Sequence, residues 1–215
     1  MQSARASIDA AKDPLYRGLG ALPLAMALSA EGQADQVLEL CRQWLTFHEA
    51  NGGLYFAAQL RPFHHSASIA KGHLSDGLRG LLSGIEDAKT RRMLSCAFFG
   101  ELNLMAVLAS VARGDARPSL GVLARNPWFV FTQAPFAARK AAALIEHLRA
   151  ELPRRQQAGY LFYVDLYEAM LCAAQRKNAR ARECLQRVRQ YLLDAGIEQV
   201  PARVAALEAE LDARG

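Results

Sequence analysis

Two carboxylates, Asp165 and Glu168, lie three residues apart in the stretch 159–194. At about 100° per residue of an α-helix they fall within one narrow arc, so they could act together as a general acid and base. Carboxylates on the solvated edge of an otherwise buried helix are the more common arrangement, and we expect that here. On this pattern the sequence predicts no catalytic residue.

Three histidines, His64, His65 and His73, raise the question of a metal site. If their segment is helical, His65 and His73 lie about 12 Å apart along the helix axis. That is too far to share an ion that each nitrogen holds at roughly 2.0 to 2.1 Å. We therefore expect surface or partly packed histidines, and predict no metal and no cofactor.

Glycines at positions 72, 77, 80 and 84 could present backbone amides to a phosphate group. Neither GxxxxGK[ST] nor GxGxxG occurs in the chain, and Gly-x-Ser-x-Gly, His-Glu-x-x-His and Cys-x-x-Cys are also absent. Close helix contacts or turns are the expected role of these glycines. The motifs of the common enzyme classes are thus missing.

The most apolar run, residues 93–112, is long enough at 20 residues to be tested as a membrane span. Glu101 lies near its centre, and a central carboxylate costs about 2.5 to 3.5 kcal/mol on insertion. We interpret the run as the buried central helix of a soluble fold, with no membrane. Glu101 should then be partly buried and bound by an arginine or backbone donors.

The four cysteines, Cys41, Cys96, Cys172 and Cys184, show no close pairing. They are expected to be buried free thiols, with a Cys172–Cys184 disulfide or a reactive thiol as the alternatives. Residues 3–12 lack the apolar run of a secretory signal. These observations predict a cytoplasmic protein.

The net charge of +5 is concentrated in residues 154–189, which contain eight basic and three acidic residues. Arg180 and Arg187 lie on one side of the apolar stripe of their helix, while Arg182 and Arg189 lie on the other. A surface that follows a nucleic-acid backbone would carry its basic residues on one face of the helix, with aromatic residues between them for base stacking. Nucleic acid is therefore not the expected partner. Solvated helix flanks or an acidic protein partner fit better. The candidate basic surface is Arg176, Lys177, Arg180, Arg182, Arg187 and Arg189.

The stretch 159–194 predicts two helices joined by a polar turn at 175–178. The first helix is apolar on most sides, so it must be packed on most sides. The second helix carries one apolar stripe about 100° wide, so it should pack on the first helix through this stripe and expose its opposite side to water. The stripe residues are Ala181, Cys184, Leu185, Val188 and Leu192.

The second helix has two weaker copies earlier in the chain. Residues 42–45 (RQWL) align with 189–192 (RQYL), and a third copy follows Gly114. The shared pattern is a small residue followed by apolar residues four and seven positions later. In this the chain resembles the tetratricopeptide-type α-solenoid superfamily. The resemblance implies an all-α, right-handed stack of antiparallel helix hairpins, although the copies start 82 and 65 residues apart, against about 34 in the family.

Prolines predict interruptions. Helices are expected over 14–30, with a break or kink at Pro23, and over 34–48, while Pro62 reads as a further break. Residues 126–136, with Pro127 and Pro135, predict a non-helical connection whose aromatic residues either plug the seam between helix pairs or line a groove. Helices should then cover 135–151 and, as an end cap, 201–212. The candidate groove residues are Trp128, Phe129, Phe131, Glu101, Tyr163 and Tyr167.

No linker divides the chain, so residues 1–215 are predicted to form a single helical-repeat domain. The resemblance implies a non-catalytic module that binds a protein or peptide partner along a concave face. One alternative is the small-molecule-sensing helical part of a bacterial transcription regulator, which would need a fused or partner DNA-binding domain. The other is a helical enzyme with its site near Glu101, His64, His65 and His73.

Overall fold

The computed structural model describes residues 14–115, 118–154 and 157–213 of the 215-residue chain. Every regular element in these ranges is helical, which confirms the all-α prediction. The chain divides into two compact units, one of Met1–Leu104 with Leu120–Asn126, and one of Met105–Ser119 with Pro127–Gly215. A single domain over 1–215 stays a prediction.

The first unit begins with four helices of equal length, each of 17 residues, separated by turns of three residues. A longer fifth helix starts in the same register, so that helices start at positions 34, 54, 74 and 94 and a hairpin recurs every 40 residues. In chain order the helices are α1 (Pro14–Ala30), α2 (Ala34–Ala50), α3 (Leu54–Ala70), α4 (Leu74–Thr90) and α5 (Leu94–Arg113).

The turns between these helices share one backbone conformation. Their middle residue is left-handed, with φ of +73°, +74°, +95° and +57° at Gly32, Gly52, Gly72 and Arg92. The N–H of the following residue then bonds the carbonyl five positions back, as from Gly53 to His48 at 2.7 Å. This pairing satisfies carbonyls at the helix end and starts the next helix at once, which explains the constant turn length.

Prolines do not interrupt these helices. Helix α1 continues through Pro23 and α3 continues through Pro62, so the predicted break at Pro62 was wrong, and of the break or kink predicted at Pro23 the break does not occur. A proline inside a helix loses one backbone hydrogen bond and crowds the preceding turn. In α3 the neighbours Pro62 and Phe63 are both buried, so packing offsets that loss.

Helices pack on their chain neighbours and on the next helix but one. Contacts join α1 to α2, α2 to α3 and α3 to α4, and α1 also contacts α3. Helix α3 meets α5 in the same way, because the Tyr55 and Ser95 hydroxyls share a hydrogen bond and the Phe63 and Phe99 rings lie 6.3 Å apart. Helix α3 is therefore covered by α1, α2, α4 and α5.

A short helix, α6 (Leu120–Arg125), is attached to this unit through Asn126. The Asn126 Oδ1 accepts a hydrogen bond from the Ser75 N–H at 2.8 Å, and its Nδ2 donates to the Gly72 and Val122 carbonyls at 3.2 and 2.7 Å. Asn126 is buried, and its bond with the Ser75 N–H is buried as well, while the two bonds from Nδ2 are partly buried. They fix α6 to the start of α4.

Among the residues that the structure describes, α5 is the one helix long and apolar enough to cross a membrane by length and composition. Of its most apolar window, 67% is buried in the protein. Glu101 and Asn103, the polar residues of the run, are buried too. The predicted burial of this run is therefore confirmed for most of the helix.

The second unit confirms the predicted hairpin at 159–194. Helices α9 and α10 contact each other across the turn 175–177, where Arg176 has φ of +59°. The five stripe residues named from the sequence are the buried residues of α10. Besides the part of α5 from Met105 onwards, the helices of the unit are α7 (Pro127–Thr132), α8 (Ala137–Arg154), α9 (Leu161–Ala174), α10 (Asn178–Asp194) and α11 (Ala202–Ala213).

Residues 126–136 are mostly helical, so the predicted non-helical connection was wrong. Pro127 opens α7, where its missing N–H costs nothing, and residues 134–136 form a 3₁₀ turn that leads into α8. The last turn of α8 also includes Pro153. Helix α11 buries Val204, Leu207 and Leu211 on one face, the thin apolar content expected of an end cap.

Candidate functional site

The two carboxylates of α9 lie in an ion network. Asp165 is fully buried, and its Oδ1 accepts hydrogen bonds from Arg149 Nη2 at 2.7 Å and from Arg187 Nε and Nη2 at 2.9 and 2.8 Å. Its Oδ2 is buried without a hydrogen-bond partner among the described residues. The expectation that the Asp165 carboxylate lies on a solvated edge of its helix was wrong, because arginines of two neighbouring helices cover this carboxylate.

Glu168, one turn later, extends the same network. Its side chain is 16% exposed and binds Arg149 as well as Arg180, the latter at 3.0 Å from Nε to Oε1. Helix α9 thus presents both carboxylates to α8, which carries Arg149, and to α10, which carries Arg180 and Arg187. The network joins three successive helices of the second unit.

Asp165, Glu168 and Cys184 offer ligand atoms within 4.8 Å of one another, a spacing that could hold a metal ion. Three guanidinium groups face these two carboxylates, however, so the surroundings of the site are already cationic. Burial, and then the nearby Glu168, raise the pKa of Cys184 to about 12, which keeps its thiol protonated. The charges therefore favour an ion network that holds helices together over a metal centre.

All four cysteines are free and buried, as expected. Burial is the first cause that raises the pKa of Cys41, Cys96 and Cys172 as well. A raised pKa lowers the thiolate fraction, and the thiolate is the reactive form. These thiols fit a packing role.

Glu101 is buried in α5 and binds Lys89 Nζ at 2.9 Å, so its cationic partner is a lysine of α4. His64 and His65 are neighbours on α3, and His73 lies in the turn before α4. Within the described residues, the one three-ligand cluster includes none of these histidines. The site suggested for a helical enzyme therefore gains no support from the geometry.

The pKa of His65 is lowered to about 4, first by burial and then by the nearby His64 and Arg61. Its ring packs against α4 so closely that a Cβ on Gly80 would lie 2.4 Å from it. His65 is therefore neutral at physiological pH, and its position depends on Gly80 having no side chain.

The aromatic groove residues belong to the second unit, while Glu101 belongs to the first. Phe129 and Tyr167 are buried, Trp128 and Tyr163 are half-buried, and Phe131 is 76% exposed. Tyr163 stacks on Tyr160 with ring centroids 6.3 Å apart, and the Tyr167 hydroxyl accepts a hydrogen bond from Arg203 at 3.2 Å. A groove lined by these residues stays a prediction.

The basic residues of α10 bind within the protein on both sides of its stripe. Arg180 and Arg187 bind the carboxylates of α9, while Arg182 donates to the Leu211 carbonyl at 2.8 Å and Arg189 binds Glu208 at 2.6 and 2.7 Å, both on α11. The arginines on the two sides of the stripe therefore bind two different neighbouring helices, α9 and α11. Arg176 and Lys177, in the turn before α10, complete the predicted set.

The sequence analysis did not predict a cleft between α3 and α4. A cleft of about 320 Å³, a volume that includes open solvent, lies between α3 and α4. The sequence signal that could have located it is the spacing of Gly80 and Gly84 within a helix. Its lining residues are Ala58, Arg61, Pro62, His65, Gly80, Leu81, Gly84, Asp87, Ala88 and Met93.

No protein-family model, no curated protein and no solved structure matches this chain. Its function therefore has to be inferred from its own residues and their geometry.

Proposed function

We propose that the chain is a non-catalytic helical-repeat module, a tetratricopeptide-like stack of hairpins, that binds a protein or peptide partner. The observation that carries the proposal is the regularity of the first unit, with four helices of 17 residues joined by turns of one conformation. Regular hairpins that pack side by side generate an extended surface, and such surfaces serve binding in repeat proteins.

Packing in the first unit supports a solenoid. Helix α3 contacts α1 as well as α2 and α4, so first helices of successive hairpins pack on one another. The hairpin period of 40 residues exceeds the 34 or so of the tetratricopeptide family. The likeness therefore lies in the packing order and in the small-then-large pattern of α2 and α10, while the repeat length differs.

The polar groups support a non-catalytic role. Asp165 and Glu168 are bound by arginines, and Glu101 is bound by Lys89. A general acid or base must reach a substrate proton, and these carboxylates are already committed to neighbouring helices. We further propose a cytoplasmic location, because free buried thiols are typical of reducing compartments.

The test is a selection of random displayed peptides on the purified full chain, followed by fluorescence anisotropy with each selected peptide. We expect saturable binding that a scrambled peptide of the same composition does not reproduce. If selection yields no peptide that binds above the level of an unrelated helical protein, the proposal is wrong.

A further inference from the structure

The described part of the second unit exposes four large apolar side chains, and they form two pairs along the chain. Phe131 and Phe136 are 76% and 44% exposed, and Leu193 and Ile197 are 71% and 47% exposed. Single exposed apolar residues are ordinary, whereas groups of them mark interaction surfaces. Each pair is therefore a candidate surface, and the charges around it indicate what it binds.

The first pair lies in a basic surface. Residues 127–145 contain Arg139 and Lys140 and no acidic residue. The Arg139 guanidinium lies 5.3 Å from the centre of the Phe136 ring, and Lys140 Nζ donates to Gln133 Oε1 at 2.6 Å. Both of these contacts are with uncharged groups, which leave the two positive charges uncompensated. The basic patch is defined as Phe131, Phe136, Arg139 and Lys140.

The second pair lies in an acidic surface. Residues 190–202 contain Asp194 and Glu198 and no basic residue. Both carboxylates are exposed, and Asp194 Oδ1 accepts a hydrogen bond from the uncharged Gln190 amide at 2.7 Å. This contact likewise leaves the negative charge uncompensated. The acidic patch is defined as Leu193, Asp194, Ile197 and Glu198.

The two patches lie at different positions in the order of helix contacts. The 3₁₀ turn 134–136 contacts α7 and α8, α8 contacts α9, α9 contacts α10, and α10 contacts α11. The basic patch belongs to α7, the 3₁₀ turn and the start of α8, while the acidic patch belongs to the end of α10 and the turn after it. Neither patch covers the other, because all four apolar side chains are exposed. One chain therefore offers both patches at once.

We propose that the basic patch of one chain binds the acidic patch of a second copy, so that the protein associates head to tail. The charges identify the occupant, because each patch presents the sign that the other lacks and adds two apolar side chains. Apolar contact drives the association, and the charges set its orientation. The inference goes beyond the proposed peptide binding and does not depend on it.

The proposed contact is heterologous, since it joins two different surfaces of the same chain. A copy bound through its basic patch still exposes its acidic patch to a further copy, so such contacts generate rings or open chains. The patches are small compared with a standard protein interface of about 800 Å² per partner. The association is therefore weak and increases with protein concentration.

The first experiment is sedimentation velocity of the full chain over a range of concentrations. Phe131→Ser impairs the basic patch and Leu193→Ser the acidic patch, and the matched control is Leu94→Ser, at an apolar residue of the first unit that is 59% exposed. We expect species larger than a dimer for the natural chain and for the control. Each patch variant should associate about tenfold more weakly or less. A natural chain that stays monomeric, or a control that loses association equally, would overturn the proposal.

Mixing the two patch variants tests the head-to-tail arrangement. Phe131→Ser keeps its acidic patch and Leu193→Ser keeps its basic patch, so the mixture should form a dimer with the affinity of the natural contact and grow no further. A symmetric contact of one patch with itself predicts instead that one variant associates alone as strongly as the natural chain. That result would refute the proposal.

Charge reversal tests why the patches recognise each other. One variant combines Arg139→Glu with Lys140→Glu, and the other combines Asp194→Lys with Glu198→Lys. Each variant alone carries two patches of one sign, so it should associate about tenfold more weakly or less. The mixture restores opposite signs and should associate as the natural chain does. A mixture as weak as its separate components would contradict recognition by charge.

Other occupants of the basic patch give different results. An anionic lipid surface or an acidic peptide would also be attracted to exposed phenylalanines beside two cations. Co-sedimentation with phosphatidylserine vesicles and binding of a peptide of alternating leucine and glutamate are measured with the natural chain and with the Arg139→Glu, Lys140→Glu variant. If either probe binds only the natural chain while that chain stays monomeric, the patch has another occupant and the proposal is wrong.

Discussion

Arg187 donates two hydrogen bonds to a single oxygen of Asp165, from Nε at 2.9 Å and from Nη2 at 2.8 Å. Arg149 donates a third to the same oxygen at 2.7 Å. Asp165 is fully buried, whereas the two arginine side chains are each 36% exposed. The buried carboxylate is therefore the shared centre of contacts that join α8, α9 and α10.

Removing the charge of Asp165 tests this role. We expect Asp165→Asn to lower the free energy of unfolding by about 3 kcal/mol, because it removes the buried negative charge that two guanidinium groups share. Urea denaturation measures the change. Glu183→Gln is the control, since Glu183 forms an exposed pair with Arg180 and its loss should cost about 0.5 kcal/mol or less. Equal effects of the two substitutions would refute the special role of Asp165.

Asn126 should be the anchor of α6. Asn126→Ala removes one buried and two partly buried hydrogen bonds and leaves the Ser75 N–H without its acceptor, so we expect a loss of about 1 to 3 kcal/mol in unfolding free energy. Hydrogen exchange should also become faster at Ser75. Asn51→Ala, which removes one exposed bond to the Phe47 carbonyl, is the matched control with little expected effect. A Ser75 amide that stays equally protected would contradict the proposed anchor.

At the left-handed turn positions, introducing glycine and replacing glycine with alanine should change the free energy of unfolding in opposite directions. Arg92 has φ of +57° without being glycine, so Arg92→Gly should raise the unfolding free energy by about 0.5 to 1 kcal/mol. Gly52 has φ of +74°, and a Cβ there meets no atom within 4 Å, so Gly52→Ala should lower it by about 1 kcal/mol through backbone strain alone. Thermal unfolding of both variants tests the shared turn conformation, and effects of the same sign would argue against it.

Acidification should destabilise the first unit through His65. Its folded pKa is about 4, below the ordinary value of 6.5, so between these values the unfolded chain binds a proton that the folded chain does not. The contribution of His65 is complete above pH 6.5 and is lost as the pH falls towards 4. We expect His65→Leu to reduce this pH dependence, and the imidazole NMR signal to titrate near pH 4. A midpoint near 6.5 would show that the ring is not buried against Gly80.

Periodicity in the sequence predicted the elements whose apolar residues repeat without interruption. The stripe of α10 was identified residue by residue, because a helix with one wet face has a single arrangement of apolar positions that buries them all. The arc of Asp165 and Glu168 was also located correctly. Its burial could not be read from α9, since the covering arginines come from α8 and α10.

Predictions from the local preferences of single residues failed where tertiary packing outweighs those preferences. Pro23 predicted a break or kink and Pro62 predicted a break, yet α1 and α3 continue as single helices, and in α3 the proline itself is buried. The 20-residue spacing of Gly32, Gly52 and Gly72 marks the repeat in its turns, whereas the helix interiors carry it only weakly. The cleft at Gly84 depends on a gap between two helices, which the sequence of neither helix specifies.

Amide hydrogen exchange of the full chain, with and without a selected peptide, tests the central claim most directly. If the helix hairpins form a peptide-binding module, bound peptide will slow exchange in a set of neighbouring helices, and a scrambled peptide of the same composition will leave exchange unchanged. Unchanged exchange throughout the chain at saturating peptide would contradict this account.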